Sequence, residues 1–414
     1  MVTVAIWTYG FAPPSSQTPA LWGSVSKPVA ASVAQAAIDR GHLRASDPIT
    51  AHLSFQTCPA ARRVTVSDVI HHTSGIGAVW AALDRGSNSG ATQVVREHER
   101  DLCPRADPGT YRYSSANYLL LAAVLESATG TTYGELVTAH VSGSTDADSL
   151  VTSTNAAGSL PVGHRFMAGR PVTMSTPYDE SGVAYGYLGG SLTDLERVAQ
   201  GFVGATPALG KPTRDDGVAT GSLDRYGAGW RLRDLSDGTR LAWHSGMVPG
   251  YVTTVMIWPE RDLGLVTLQN ASGLGHAESL LAGPIRLASA LVPATTLTAQ
   301  TGPQPLYLAT LTTLGALTIL TWAAALRGPS GSRRSTIGWS VAAIAMLALV
   351  ATHLATGSIA GILWRQAWLW APDAAALTAA SGVAVLLSAA RALSAGRAAS
   401  RTHRPARPAS RRPT

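Results

Sequence analysis

Residues 23–28 read Gly23-Ser24-Val25-Ser26-Lys27-Pro28, and the chain continues as VAASVAQAAIDRG to Gly41. The spacing of small and apolar residues predicts a helix over 26–41, with Pro28 tolerable only in its first turn and Gly41 as a stop. Residues i and i+3 share a helix face, so a serine at the helix start and a lysine one turn later bring an amine to a hydroxyl. The helix dipole and the free N–H groups of the first turn favour an anion developing there. Lysine is also scarce: of 32 basic residues only Lys27 and Lys211 are Lys, and the other 32 − 2 = 30 are Arg. A desolvated ammonium can give up its proton and a guanidinium cannot, so a rare lysine in this position suits proton transfer. By itself a Ser-x-x-Lys segment equally fits a capping serine beside a surface lysine.

Two further segments bear on that choice. Tyr113-Ser114-Ser115-Ala116-Asn117-Tyr118 follows a Pro108-Gly109 turn and opens a predicted helix over 115–130. Trp243-His244-Ser245-Gly246-Met247 lies in a region where TRLAWHSG, GYVTTVMIWP and LGLVTLQNAS read as three strands separated by turns. VTVAIWTYGF at the start also alternates as a strand does. Strands toward both ends with helices between predict an α+β domain over 1–300 with a mostly antiparallel sheet.

Those three segments, in this order and spacing, resemble the serine β-lactamase and penicillin-binding superfamily, in its class C-like branch of D-Ala-D-Ala carboxypeptidases, D-aminopeptidases and esterases. VTVSDVIHHTSGIG (64–77), GYLGGSLTDLERVAQGFV (186–203), YGAGWRL (226–232) and the strands from His244 to Ser272 carry the likeness onward, so that it covers roughly 18–275. The resemblance implies a sheet flanked by helices with a helical subdomain. It also implies that the family's first strand is missing, since little precedes Ser24. Residues 1–23 hold no positive charge and no long apolar run, so they do not read as a signal peptide, and the chain is read as N-terminally truncated.

Residue by residue, the resemblance implies Ser24 as acylated nucleophile. Lys27 is the base or the group that holds the base in shape, and Tyr113 exchanges protons with the serine and the leaving group. A phenol of ordinary pKa near 10 is a poor base at neutral pH, so a cationic Lys27 is expected to lower it. Ser115, His244, Ser245 and Gly246 would border the substrate, and the N–H groups of Ser24 and Met247 would form the oxyanion hole. The chain departs from the family at two places. Ser115 stands where the family's second motif usually has Asn, with Asn117 two residues later on another face. The third motif is His-Ser-Gly where class C lactamases have Lys-Thr-Gly. The first makes amide substrates less certain and esters easier. The second leans toward peptidase or esterase and away from efficient antibiotic hydrolysis, so the expected substrate is a D-amino-acid peptide, an ester or a β-lactam-like compound, with peptidoglycan fragments the nearest natural supply. The rival expectation is a degenerate domain that binds a wall fragment or a partner without turnover.

Other candidates weigh less. The adjacent His71 and His72 point apart if the chain is extended there and read as a structural turn. His98 reads as a solvated helix face. No spaced cluster suggests zinc, and neither a metal nor a cofactor is expected. Cys58 and Cys103, the only cysteines, leave a bridge and two free thiols both open.

The chain has 414 residues, 46% hydrophobic and 14% charged, which excludes a disordered chain. Its net charge of +7 would ordinarily raise nucleic acid as a partner, but the charge is unevenly placed. From 301 onward there are eleven Arg and one acid, a net of 11 − 1 = +10, leaving 21 − 24 = −3 for the first 300 residues. The basic part is apolar rather than groove-like: 305–326 and 335–364 are uncharged apart from His353, and 374–390 is a third uncharged run. We read a membrane domain over 301–391 with three spans at about 305–326, 337–358 and 370–390. Trp364, Trp368 and Trp370 lie at an expected aromatic belt. Arginine placement puts the 327–334 connection and the basic 392–414 tail in the cytoplasm and the first domain outside. Membrane lipid, not nucleic acid, is the expected partner of the tail.

Overall fold

The structure, a computed structural model, describes residues 15–77, 79–147, 149–204, 207–298, 304–327 and 364–402. Two compact units share the chain, residues 1–304 and 305–414. The alternating stretch at 2–11 and the proposed second membrane span lie outside the described residues.

In the first unit the chain enters through β1 (Ala20–Leu21) and a 3-10 turn at Gly23–Val25, then runs directly into α1 (Ser26–Asp39). Ser26 secures that junction by donating its hydroxyl to the Gly23 carbonyl at 2.7 Å. A helical region follows: α2 (Val66–Ile70), α3 (Ala91–Glu97), α4 (Ser115–Thr129) and α5 (Tyr133–Ser142). Every residue of α4 from Ala116 to Leu125 is buried, the pattern of a helix enclosed on all sides. It ends at Gly130, whose φ of +71° is the left-handed stop that glycine adopts without penalty. Capping boxes at Thr65/Asp68 and Thr132/Glu135 fix the starts of α2 and α5.

The chain then builds the hairpin β2 (His164–Met167) and β3 (Arg170–Thr173), a π-helical turn at Val183–Tyr187, β4 (Gly189–Gly190) and α6 (Leu192–Gln200). Six antiparallel strands follow: β5 (Val218–Ala219), β6 (Arg225–Gly227), β7 (Trp230–Asp234), β8 (Arg240–Val248), β9 (Tyr251–Trp258) and β10 (Leu263–Gln269). They pair with their sequence neighbours in the order β10-β9-β8-β7-β6-β5. β11 (Ala271–Ser272) joins the β2–β3 hairpin, and β1 pairs with β4. All eight residues of β9 are buried, as a central strand covered on both faces requires. One face meets α7 (Ala277–Leu291) through Met256, Trp258, Ile285 and Ala288, and the other joins the main core with α1. The unit is therefore α+β with antiparallel sheets and flanking helices.

The second unit contains α8 (Pro305–Arg327), α9 (Trp364–Trp370) and α10 (Pro372–Thr402). Two stretches, Pro305–Ala323 and Pro372–Arg391, are long and apolar enough to cross a membrane. They lie side by side in the same direction. Tyr307 bonds Asp373, Thr318 meets Ser381 at 2.8 Å, and Arg391 donates to the Ala325 carbonyl at 2.6 Å.

Candidate active site

The Gly23–Val25 turn presents Ser24 half-buried at the start of α1, while Lys27 one turn later has no exposed surface. Its Nζ donates to Ser24 Oγ at 2.8 Å, to the Tyr185 carbonyl at 2.7 Å and to Ser115 Oγ at 3.3 Å. Burial pulls the Lys27 pKa well below the ordinary lysine value; the Asp84 carboxylate opposes that shift and the Arg231 guanidinium adds to it. An amine so placed readily exists uncharged, with its lone pair toward the serine proton.

Tyr113 shares a hydrogen bond with Ser24, and its ring lies 5.1 Å from Lys27 Nζ. Its pKa is not lowered as the sequence suggested. Desolvation pushes it up to about 12, against the smaller opposing effects of the Ser24 hydrogen bond and Arg231. The penalty for a desolvated phenolate exceeds what the nearby cations return, so Tyr113 is a proton donor in its resting state.

The third segment lies on β8. Strand β7 pairs with β8 only as far as Arg231 opposite Trp243, so beyond that point the β8 edge has no strand neighbour on that side. The Ser24 turn packs there instead. A Cβ placed on Gly246 would fall 2.7 Å from Ser24 N, and one on Gly23 would meet Met247 N and fall 2.6 Å from the Gly246 carbonyl carbon. This backbone contact sets Ser24 N beside Gly246 and Met247 N beside Gly23. His244 is buried, its Nδ1–H donates to the Ser245 carbonyl at 2.8 Å, and Nε2 stands 3.5 Å from the Tyr226 hydroxyl. Burial first, then Arg231 and Lys27, hold its pKa well below the usual histidine value. Strand alternation sets Ser245 on the opposite face from His244 and Gly246.

Several neighbours carry no sequence motif. His72, fully buried at φ +58°, sits among the rings of Tyr113, Tyr118 and Tyr226 at centroid distances of 4.4, 5.3 and 4.7 Å. Its Nδ1 accepts from Asn117 Nδ2 at 3.1 Å, and Ser74 donates to Asn117 Oδ1 at 2.5 Å. Asn117 is thus buried and engaged with His72 and Ser74. Arg231 stacks 5.6 Å from the Tyr113 ring and, among the described residues, makes no ion pair. Arginine in a short strand gives no pattern, so only the register of β7 reveals it.

Away from this site, His71 points apart from His72 and bonds Asp215 at 3.2 Å. His98 is not a solvated face: it closes α3, bonding Asp101 at 3.1 Å and Arg85. Cys58 and Cys103 are joined in a disulfide. Among the described residues no group of three or more His, Cys, Asp or Glu side chains could hold a metal ion.

A family profile described as Beta-lactamase matches residues 3–290. No curated protein matches significantly. Solved structures share the fold. An octameric penicillin-binding protein homologue from Pyrococcus abyssi aligns with TM-score 0.58 at 21% identity, over 67% of this chain and 67% of its own. A D-stereospecific amidohydrolase from Streptomyces sp. aligns with TM-score 0.53 at 20% identity, over 62% and 83%. A D-amino acid amidase from Ochrobactrum anthropi SV3 aligns with TM-score 0.53 at 17% identity, over 63% and 79%.

Proposed function

The chain belongs to the beta-lactamase family, and from that premise we propose that it is a membrane-anchored, extracytoplasmic serine hydrolase working through an acyl-Ser24 intermediate. The observation that carries the reading is the buried Lys27 amine 2.8 Å from Ser24 Oγ. Neutral Lys27 takes the Ser24 proton as Oγ attacks the carbonyl carbon. The N–H groups of Ser24 and Met247 hold the oxyanion. As the tetrahedral intermediate collapses, Tyr113 gives its proton to the leaving nitrogen or oxygen and recovers one from the Lys27 ammonium. Water then attacks the acyl-enzyme, its proton passes to the same base, and Ser24 is released as the hydroxyl. The scheme needs no cofactor.

The substrate class we propose is a D-amino-acid peptide, an ester or a β-lactam-like compound, peptidoglycan fragments included. The D-specific amidase neighbours support the D-configuration. Arg231, positive and without an ion pair at the site, suits a substrate carboxylate. With Ser115 bonded to Lys27 and Asn117 held by His72, no side-chain amide meets a substrate amide, which favours esters over amides. The same fact favours the second reading, a domain that binds without turnover.

An exterior site is supported by the disulfide, which persists in oxidising compartments. The parallel direction of α8 and α10 supports a multi-pass anchor, because a chain that crosses twice in one direction returns in between. Labelling the full chain with a fluorophosphonate and a fluorescent penicillin, beside Ser24→Ala, tests the enzyme claim. Labelling lost in Ser24→Ala is expected; no Ser24-dependent labelling with either probe leaves the binding-only reading.

A further inference from the structure

Lys27 lies in a setting that should repel its charge. Burial disfavours the charge and Arg231 approaches from β7, while the rings of His72 from the end of α2 and His244 from β8, held neutral by burial, and the uncharged phenols of Tyr113 and Tyr118 lie around it. Among the described residues no carboxylate hydrogen-bonds its Nζ; the three partners are two hydroxyls and one carbonyl. The carbonyl belongs to Tyr185, in the π-helical turn Val183–Tyr187, and two buried acids grip that turn. Tyr185 places its phenol oxygen 3.0 Å from the Asp84 N–H and donates to Asp179 at 3.3 Å. Tyr187 donates to Asp84 Oδ1 at 3.1 Å. Asp84 is 6% exposed and held at φ +51°, a left-handed backbone uncommon outside Gly, Asn and Asp. Asp84 is thus tied to the turn that receives Lys27 twice, through its backbone N–H to Tyr185 and its carboxylate to Tyr187.

We propose that Asp84 is a positioning residue for Lys27: it fixes the Val183–Tyr187 turn against the amine and supplies the negative charge that lets Lys27 carry a proton between steps. The catalytic meaning rests on the hydrolase reading, since a base must both accept and return the serine proton. Of the two charged side chains that act on Lys27, Asp84 favours the charged form and Arg231 opposes it.

The test uses the full chain in detergent micelles, labelled with 13Cε-lysine. With only Lys27 and Lys211 present, two signals appear, and Lys211→Arg assigns them. Asp84→Asn keeps the shape and tolerates the left-handed backbone while removing the charge. The expected result is a fall in the Lys27 midpoint of ~1 pH unit, with the acid limb of Ser24 acylation moving down by the same amount. Asp84→Gly, equally at home at positive φ, is the second neutral variant should the first not fold. Asp84→Glu should restore the midpoint toward that of the parent. A Lys27 midpoint unchanged in both neutral variants overturns the proposal, as does a loss of acylation equal at every pH. Failure of the hydrolase reading shows separately, as absence of Ser24-dependent labelling in the parent chain, and leaves the Lys27 midpoint readable.

Discussion

Gly23 and Gly246 meet backbone against backbone, so closely that a side chain on either would strike the main chain of the other's neighbour. Gly23 adopts φ +55°, in the left-handed region that favours glycine. Gly246 leaves that edge bare, next to the Met247 N–H. The pair therefore joins the start of α1 to the sheet beside the two amides, of Ser24 and Met247, proposed to hold the oxyanion.

Gly246→Ala should separate those two donors, because the added Cβ would fall 2.7 Å from Ser24 N and closer to the Trp22 carbonyl. Loss of one oxyanion donor costs about 10²–10³ in rate. We expect fluorophosphonate labelling of Ser24 to slow by about that factor, with the disulfide still formed. Labelling at the parental rate would mean that the backbone pair does not hold the oxyanion.

Lys27→Met keeps the stem and removes the amine, and general-base catalysis contributes about 10²–10⁴. Acylation should fall within that range. In the parent, only neutral Lys27 accepts the serine proton, so the rate rises with pH through the depressed Lys27 pKa and levels off below the ordinary lysine value. A pH–rate profile that climbs only near pH 10 would point to an unperturbed lysine, and one still climbing well above that to Tyr113, whose pKa is pushed up to about 12.

The helix after Ser24 and the strands β8, β9 and β10 were legible because their periodicity is long and their ends carry Gly or Pro. The two-residue strands β1, β4, β5 and β11 hold too few residues for any period to register. Within the candidate site, the approach of Lys27 to Ser24 is legible in their helical spacing, and that of Tyr113 only in the resemblance its segment carries. Asp84, Tyr185 and Arg231 were not, since their relation to Lys27 exists only after the chain has folded. The direction of the Tyr113 shift was misjudged for a related reason. A neighbouring cation can be inferred from sequence, but the depth of burial that outweighs it cannot.

Acid should weaken the first unit before its carboxylates titrate. His72 and His244 are held neutral by burial, reinforced by Lys27, Arg231 and each other's vicinity. Once unfolded they bind protons below about pH 6.5. The unfolded chain then holds more protons than the folded one, so stability falls as pH drops below that value. Lys27 has the same sign at higher pH, between its depressed value and the ordinary one. His71 acts oppositely: burial disfavours its charge, but the Asp215 hydrogen bond raises its pKa overall, so its contribution is lost as pH rises. We expect a lower Tm at pH 5 than at pH 8, and a smaller difference in His244→Asn. A Tm higher at pH 5 would show that His71–Asp215 outweighs the two buried rings.

The Cys58–Cys103 bridge anchors the segment that delivers Tyr113. Past Cys103 the chain runs along 72–75: Arg105 N–H donates to Gly75 O, Gly109 to Thr73 O and Arg112 to His72 O. Replacing both cysteines by serine should cost about 2–4 kcal/mol, or roughly 5–10 °C in Tm for a unit of this size. Ser24 labelling should slow as well, because Tyr113 loses part of its support. An unchanged labelling rate with a lowered Tm would confine the bridge to stability.

The membrane anchor makes a directional prediction. Tyr307 and Asp373 lie at the starts of α8 and α10, while Ala325 and Arg391 meet further along both helices. In a bilayer crossed by both helices, as proposed, starts and ends would lie on opposite sides. Arginines are retained on the cytoplasmic side; Arg327 lies past the first apolar stretch, Arg391 closes the second, and the arginines of the 392–414 tail follow it in the chain. Single cysteines at Gln304 and Ser394, in a chain whose native pair remains oxidised, should react differently with an impermeant maleimide. Gln304→Cys should label on intact cells, and Ser394→Cys only after permeabilisation. Both reacting from outside, or neither, would place the two helix ends on one side and remove the exterior hydrolase with its cytoplasmic tail.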